Sequence, residues 1–212
     1  MYLNIMDQYA KVGAQKAKGL ARSMRQTKEI VGANVYNRAF DSAYTGGDGK
    51  SLINSAHLNV SGSTFSNIIA TASDLSEAAI EQAVIDISGF RDDRGLLIAA
   101  KPAQLIIPYQ QQFEATRILG ANGRVGTDLN DPNAIKDMGL FKEVTVNHYL
   151  TDADAWFIRT NVENGLKYFE RRGAQFEMDN DFDTENARFK ATERYSFGWS
   201  DGGRALYGSA GA

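Results

Sequence analysis

A stretch of 34 residues without proline, from 7 to 40, constrains the fold of this chain more than any other feature. Good helix formers such as Ala, Lys, Arg, Gln and Met dominate it, and Asp7 is placed to cap its start. Small or apolar residues recur every three or four positions, which predicts one packed face. They are Gly13, Ala17, Leu20, Met24, Thr27, Val31 and Val35. At about 1.5 Å per residue the helix would be roughly 50 Å long. A compact chain of this size has a radius of gyration of only ~17 Å, so we expect an elongated element.

A second helix and two strands are predicted in the middle of the chain. Asp74 is a suitable N-cap for a helix over 74–89, and Glu77 three residues later resembles a capping box. The short apolar runs LLIAA (96–100) and QLIIP (104–108) are typical of buried strands. Helix and strand therefore follow one another in this region.

The second half of the chain is predicted to become rich in strands. We expect a third helix at about 109–119 and a long polar loop over 120–139. EVTVNHYL (143–150) and AWFIRTN (155–161) predict a hairpin joined by TDAD. From 166 onward the alternation of side chains is typical of strands, with the odd-numbered aromatic residues after 188 on one face. The predicted fold class is α+β.

Charge is unevenly distributed along the chain. The net charge is −3, yet residues 1–40 contain seven basic and two acidic residues, so this part carries +5 and the remainder −8. A basic end on an acidic body suits an anionic partner or another copy of the chain. The absence of cysteine excludes disulfides, thiolate metal sites and a cysteine nucleophile. No apolar run approaches the ~18 residues of a membrane span, so we expect a protein made in a cytoplasm.

The stretch EMDNDFDTE, residues 177–185, places an acid at every second position. Asp179, Asp181 and Asp183 match the start of a calcium loop, but Thr184 stands where glycine is required and Lys190 where the last ligand is required. An extended segment would put these acids on one face. We therefore predict a polar strand or hairpin edge, with an adventitious cation as the alternative.

No catalytic, cofactor-binding or metal-binding residues are predicted, so we do not expect an enzyme. GGDGKS (46–51) lacks the first glycine of a phosphate-binding loop, since Tyr44 occupies that position, and a tight turn is expected there. His57 and His148 are isolated in the sequence, and no nucleophile elbow accompanies them. We expect no pocket with convergent polar groups, and a pocket that holds either histidine with two carboxylates would argue against this interpretation.

The basic residues of the long helix lie mostly away from Leu20 and Met24. Two interpretations of this basic face stay open. It can bind nucleic acid, with a steep dependence on salt, or it can be solvated or docked on an acidic neighbour. The candidate contact residues between subunits are Lys18, Arg22, Arg25 and Lys28 on the helix, and Asp179, Asp181 and Asp183 on the acidic side.

Several long segments, in order along the chain, resemble major capsid proteins of tailed bacteriophages, in particular the major head subunits of Mu-like phages and prophages. They are TKEIVGANVYNRAFDSAYTGGDGKSLINSAH, DLSEAAIEQAVIDISGFRDDRGLLIAAKPAQLIIP, VNHYLTDADAWFIRTN with GLKYFERR, and DFDTENARFKATERYSFGWSD followed by YGS. None of these segments is a catalytic motif. Their number and order carry the resemblance.

The resemblance implies the Hong Kong-type capsid fold. Residues 1–44 would then form the spine helix of a peripheral domain, 45–165 an axial α/β domain, and 166–212 the long strands that complete the peripheral domain. The implied function is self-assembly, through pentamers and hexamers, into an icosahedral head around double-stranded DNA. Other implied partners are portal, scaffold and protease proteins, and the implied location is the virion, assembled in the bacterial cytoplasm.

One departure from the family pattern affects this expectation. Members of the family carry an N-terminal arm and an extended loop before the spine helix, whereas here the helix is expected almost from residue 1. Both elements are therefore expected to be absent, as in a truncated prophage copy. The alternatives are an encapsulin-type shell protein with the same fold and a small DNA-binding protein that uses the basic helix.

Overall fold

The computed structural model describes residues 2–123, 131–180 and 187–212, and it shows an α+β protein. The chain separates into two compact units. Met1–Gly32 and Tyr168–Phe197 form the first, which we call the helix–hairpin unit. Ala33–Lys167 and Gly198–Ala212 form the second, which we call the sheet unit.

The helix–hairpin unit is built from one long helix and two long strands. Helix α1 (Tyr2–Asn37) has 36 residues and confirms the predicted long helix, although it ends three residues earlier than expected. It begins at Tyr2, so the prediction that Asp7 caps its start is wrong. Its last turn belongs to the sheet unit. Strands β6 (Leu166–Asn180) and β7 (Ala187–Trp199) pair as a two-stranded sheet, which confirms the predicted strand-rich tail. Tyr168 contacts Tyr195 at one end and Glu177 contacts Lys190 at the other, so the strands run antiparallel.

Glycines on α1 let the rings of β7 approach the helix closely. A Cβ atom placed on Gly13 would lie 3.7 Å from the ring of Phe189, and one placed on Gly32 would lie 3.3 Å from the ring of Phe197. Both aromatic residues are odd-numbered, as the alternation in the sequence predicts. The small residues that recur along α1 are therefore the positions where the helix accepts aromatic rings from the sheet.

The sheet unit is organised around a four-stranded sheet in the order β4-β3-β5-β8. Its strands are β3 (Pro102–Pro108), β4 (Glu143–Asn147), β5 (Trp156–Thr160) and β8 (Leu206–Ser209). Strands β3 and β4 are parallel, whereas β5 is antiparallel to both β3 and β8. The predicted hairpin between 143–150 and 155–161 is therefore wrong, because β3 lies between β4 and β5 and pairs with each of them.

Strands β3, β5 and β8 are buried on both faces, which explains why they are largely apolar. The edge strand β4 is only partly buried. On one face, Leu105, Trp156 and Tyr207 pack with α2 (Glu77–Ser88) and α3 (Gln112–Gly120). On the other face, alternate residues of the same strands pack against the chain that follows α1. They are Ile106, Phe157 and Leu206, with Ala39, Leu52 and Ile53 opposite them.

Short elements complete the sheet unit. They are β1 (His57–Leu58) with β2 (Thr64–Phe65), a 3₁₀ turn (Tyr109–Gln111), α4 (Ala134–Asp137) and α5 (Gly202–Ala205). The helix predicted at about 109–119 is confirmed by the 3₁₀ turn and α3. The predicted loop over 120–139 contains the single turn of α4.

Two local predictions are wrong. The N-cap of α2 is Ser76, whose Oγ accepts a hydrogen bond of 3.2 Å from the backbone N–H of Ala79. Asp74 instead accepts from the backbone N–H of Ala212. LLIAA is not a strand: Leu97 makes one isolated bridge, and Ala99 adopts a positive φ of 49°, which interrupts the extended backbone.

Candidate functional site

The outer face of α1 carries the predicted cationic surface. Lys18, Arg22 and Arg25 are exposed, together with Lys11. Along a helix with 3.6 residues per turn, these four positions fall within an arc of about 60°. The structure therefore brings three of the four candidate contact residues of α1 onto one continuous face. Their predicted role between subunits stays a prediction.

Lys28, the fourth candidate on α1, faces the hairpin of its own chain. Its ammonium pairs with the carboxylate of Glu193 on β7 and lies 5.8 Å and 5.3 Å from the ring centres of Tyr168 and Tyr195. The hydrogen bond to Glu193 is the main cause of a raised pKa of Lys28. Within one chain, the contacts of Lys28 therefore join α1 to the hairpin of β6 and β7. The charge pattern of the helix alone did not indicate this pairing.

The acidic stretch is only partly described by the structure. Glu177 and Asp179 lie on the last residues of β6, which confirms the extended conformation predicted for that part. Glu177 pairs with Lys190 across the hairpin at 3.3 Å, and both side chains are exposed. Asp181 and Asp183 lie outside the described residues. Among the residues that are described, no group of three or more His, Asp or Glu side chains could hold a metal ion.

The tight turn predicted for GGDGKS is confirmed, and it places Asp48 beside a buried histidine. The backbone N–H of Gly46 donates to Lys50 O at 2.8 Å, and Asp48 Oδ2 lies 2.6 Å from His57 Nδ1. Burial by itself would raise the pKa of Asp48. The hydrogen bonds from His57 and from the backbone N–H of Lys50 outweigh burial and lower that pKa, so Asp48 is a carboxylate.

The second ring nitrogen of His57 meets a fixed acceptor. Asn67 is fully buried, and its Nδ2 donates to the carbonyls of Leu52 and Leu206, both at 2.9 Å. Its Oδ1 accepts from the backbone N–H of Asn54 at 2.8 Å and lies 3.1 Å from His57 Nε2. These backbone partners fix the orientation of the amide. The network is therefore fully satisfied when both ring nitrogens of His57 carry a proton.

Arg204 forms a second buried polar centre next to this histidine. Its guanidinium lies 4.5 Å from the ring centre of Phe65, which also stacks on His57. Nη2 donates to Asn59 and Asp93 at 2.7 Å and 2.8 Å, and Nη1 donates to Asp201 at 3.0 Å. Nε donates to the carbonyl of Arg91 at 2.6 Å. One arginine thus holds α5 to two loops that are far apart in the sequence.

These two centres line one cavity of about 320 Å³. It brings His57 together with Asp48, Asp93 and Asp201, so the expectation that no pocket contains convergent polar groups is wrong. Each of these groups nevertheless already has a partner within the protein. The carboxylates of Asp93 and Asp201 bind Arg204, and the two ring nitrogens of His57 lie against Asp48 Oδ2 and Asn67 Oδ1. The cavity is lined by a structural charge network.

His148, the other histidine, is exposed and stacks on Tyr109 at 6.1 Å between ring centres. Sequence reasoning missed Asp48, Asn67 and Arg204. Asn67 and Arg204 bind partners that are distant in the chain, and Asp48 is distinguished by its contact with a buried histidine. The sequence does not report which polar residues are buried.

In the described part of the chain, Asn67 and Arg204 join segments that are distant in the sequence. A model of the family described as phage capsid protein matches residues 6–208. The chain therefore belongs to the phage capsid protein family, a structural, non-enzymatic class and a component of the virion. No curated protein and no solved structure gives a significant match.

The helices of the described residues were compared with the requirements for a membrane span. In residues 2–123, 131–180 and 187–212, no helix combines the length and the apolar content needed to cross a bilayer.

Proposed function

We propose that this chain is a major capsid subunit with the Hong Kong-type fold, of the kind found in Mu-like prophages, and that it self-assembles into an icosahedral head around double-stranded DNA. The observation that carries the proposal is the family match over residues 6–208. The 36-residue helix beside a long two-stranded sheet supports the choice of fold.

In this proposal the two units take the two domain roles of the fold. The helix–hairpin unit is the peripheral domain, with α1 as the spine helix, and the sheet unit is the axial domain. The elongated elements of the first and the doubly covered sheet of the second support this assignment. The expected domain limits near residues 44 and 165 would then shift to 32 and 167, and residues 198–212, expected in the peripheral domain, would belong to the axial domain.

Exposed apolar side chains on β6 support self-association. Phe169, Phe176 and Met178 are 58%, 53% and 65% exposed, and they lie on a strand that also carries charged residues. Several exposed large apolar residues on one element are typical of surfaces that bind another protein. A neighbouring subunit in a shell would cover them.

The test is light scattering on a size-exclusion column, with negative-stain electron microscopy of the peaks. Rings or closed shells are expected, because head-to-tail contacts that close on themselves produce them. A matched pair of variants sharpens the test. Phe169→Ser and Phe176→Ser together are expected to reduce association, whereas Phe113→Ser on α3, a residue with 68% exposure in the sheet unit, serves as the control.

A monomer of 23.3 kDa at all concentrations and salt levels would contradict self-assembly by the chain. Shells that contain protein cargo and no DNA when purified from cells would favour the encapsulin-type alternative. Shells that contain DNA would support the phage head.

A further inference from the structure

The outer face of α1 carries a row of exposed cations that have no partner among the described residues. We define the cation row as Lys11, Lys18, Arg22 and Arg25. All four are exposed, and none of them makes an ion pair or a side-chain hydrogen bond with another residue of the described chain. The row extends over 14 residues of helix, which is about 21 Å at 1.5 Å per residue.

The cation row lacks the apolar centre of a protein–protein contact. At 100° per residue, Glu29 falls in the same arc, and Gln15 and Gln26 lie just beside it; all three are polar and exposed. Protein interfaces usually combine an apolar core with a polar rim. Interfaces with nucleic acid are more polar and strongly positive, and Lys, Arg and Gln side chains are typical ligands of phosphate oxygens.

Lys28 is a useful comparison, because it is a cation on α1 whose partners are protein groups. It lies on the side of the helix that faces the sheet, where Glu193 and two tyrosine rings surround its ammonium. The four residues of the cation row have no such surroundings. We therefore expect the two sides of the helix to bind different kinds of partner.

We propose that the cation row binds the phosphate backbone of double-stranded DNA without sequence specificity, and that this face of α1 contacts the DNA inside the head. The choice of double-stranded DNA rests on the proposed capsid function. The row is a straight line of charge on a rigid helix, and it can follow successive phosphates of a duplex without reading its bases.

The experiment measures binding of the unassembled full-length chain to a fluorescent 20-base-pair duplex of random sequence, by anisotropy at 50 to 200 mM salt. Four phosphate contacts predict a slope of about −3.6 in log K against log salt, or a loss of about 100-fold over this range. The variant Lys11→Gln, Lys18→Gln, Arg22→Gln, Arg25→Gln is expected to bind more than about tenfold more weakly at 50 mM salt, with a nearly flat salt dependence.

The matched control removes two lysines and two arginines elsewhere. Arg94→Gln, Lys101→Gln, Lys142→Gln and Arg171→Gln change the same charge at exposed positions. Glutamine forms helices well, and circular dichroism verifies that the variant of the cation row keeps its helix. The control is expected to retain most of the affinity and a steep salt slope.

Two results would overturn the proposal. Equal losses in both variants would show general electrostatic attraction, and retained binding in the variant of the cation row would exclude this face. Light scattering of the same variant tests the alternative partner.

If the variant of the cation row binds DNA normally but no longer associates with itself, the row binds an acidic surface of a second copy instead, as the predicted pairing with Asp179, Asp181 and Asp183 requires. A wild-type chain that binds DNA through the row yet stays monomeric would reject self-assembly and leave the DNA surface intact.

Discussion

The two units of this protein bury their apolar side chains in opposite ways. In the sheet unit, β3, β5 and β8 are covered on both faces, and Trp156, Phe157 and Tyr207 are almost completely buried. In the helix–hairpin unit, a two-stranded sheet has one helix against one of its faces, and Phe169 and Phe176 are more than half exposed. A two-stranded sheet is at best marginally stable without packing partners.

This contrast indicates where the stability of each unit comes from. The sheet unit contains its own core, which is typical of a domain that folds alone. The helix–hairpin unit depends on a few close contacts along α1, namely Gly13 with Phe189, Gly32 with Phe197 and Lys28 with Glu193. We therefore expect equal changes to have unequal effects in the two units.

The largest difference is expected for the same substitution in each unit. Phe157→Ala removes a ring that is 1% exposed and packs against the rings of Tyr36 and Phe40 at 5.4 Å and 5.8 Å. It should lower the free energy of unfolding by about 3–5 kcal/mol. Phe176→Ala, at a residue with 53% exposure, should cost less than about 1 kcal/mol. Urea denaturation followed by circular dichroism measures both values, and equal losses would contradict the contrast between the units.

A smaller effect is expected where α1 meets β7. Gly32→Leu crowds the ring of Phe197, because a Cβ atom alone would already lie 3.3 Å from that ring. Overpacking of this kind costs roughly 1–3 kcal/mol. Gly19→Leu is the matched control, because nothing lies within 4 Å of that position, and better helix propensity should stabilise it by up to about 1 kcal/mol. Thermal melting of α1 by circular dichroism compares them, and a loss in both variants would show that close packing at Gly32 is not the cause.

The smallest effect concerns the polar network of the sheet unit and depends on pH. The pKa of Asp48 is lowered in the folded chain. The carboxylate therefore adds stability at pH values above its ordinary pKa of 3.8, and this stability is lost as the pH falls through the lower pKa of the folded state. Asp48→Asn should reduce the free energy of unfolding by about 1 kcal/mol at pH 7.

The same variant should approach the wild type as the medium is acidified below the lowered pKa, because Asp48 is then protonated in both folded and unfolded wild-type chains. Urea titrations at pH 7 and at a series of values below 4 test this expectation. A difference between variant and wild type that is the same at every pH would mean that the charge of Asp48 plays no part.

Local patterns in the sequence predicted elements well and partners poorly. The long helix, the strand QLIIP and the strand-rich tail follow from propensity and alternation, which act within a few residues. The predicted hairpin between β4 and β5 was wrong because both segments have the composition of strands, and nothing in either one indicates that β3 (Pro102–Pro108) separates them. Pairing is decided by how the whole sheet buries its two faces.

The candidate site divides in the same way. The exposed positions of Lys18, Arg22 and Arg25 follow from helical periodicity alone. The pairing of Lys28 with Glu193 and the contacts of Arg204 with Asn59 and Asp93 join segments more than 100 residues apart. Asp48 and His57 are close in sequence, but their contact depends on Asn67, whose amide is oriented by Leu52 and Leu206.

The position of β8 has a consequence for synthesis on the ribosome. This strand pairs with β5 and supplies Leu206 and Tyr207 to opposite faces of the sheet, yet it begins almost 50 residues after β5 ends. Synthesis adds about 5–20 residues per second. The edge of β5, with Trp156, Phe157 and Ile158, therefore stays unpaired for several seconds until β8 has been made. During that interval the nascent chain presents an unpaired apolar edge, which is the state that invites premature contact between chains. Many copies made from one message would expose this edge at the same time. We therefore expect that neighbouring nascent chains have to be kept apart until β8 pairs with β5.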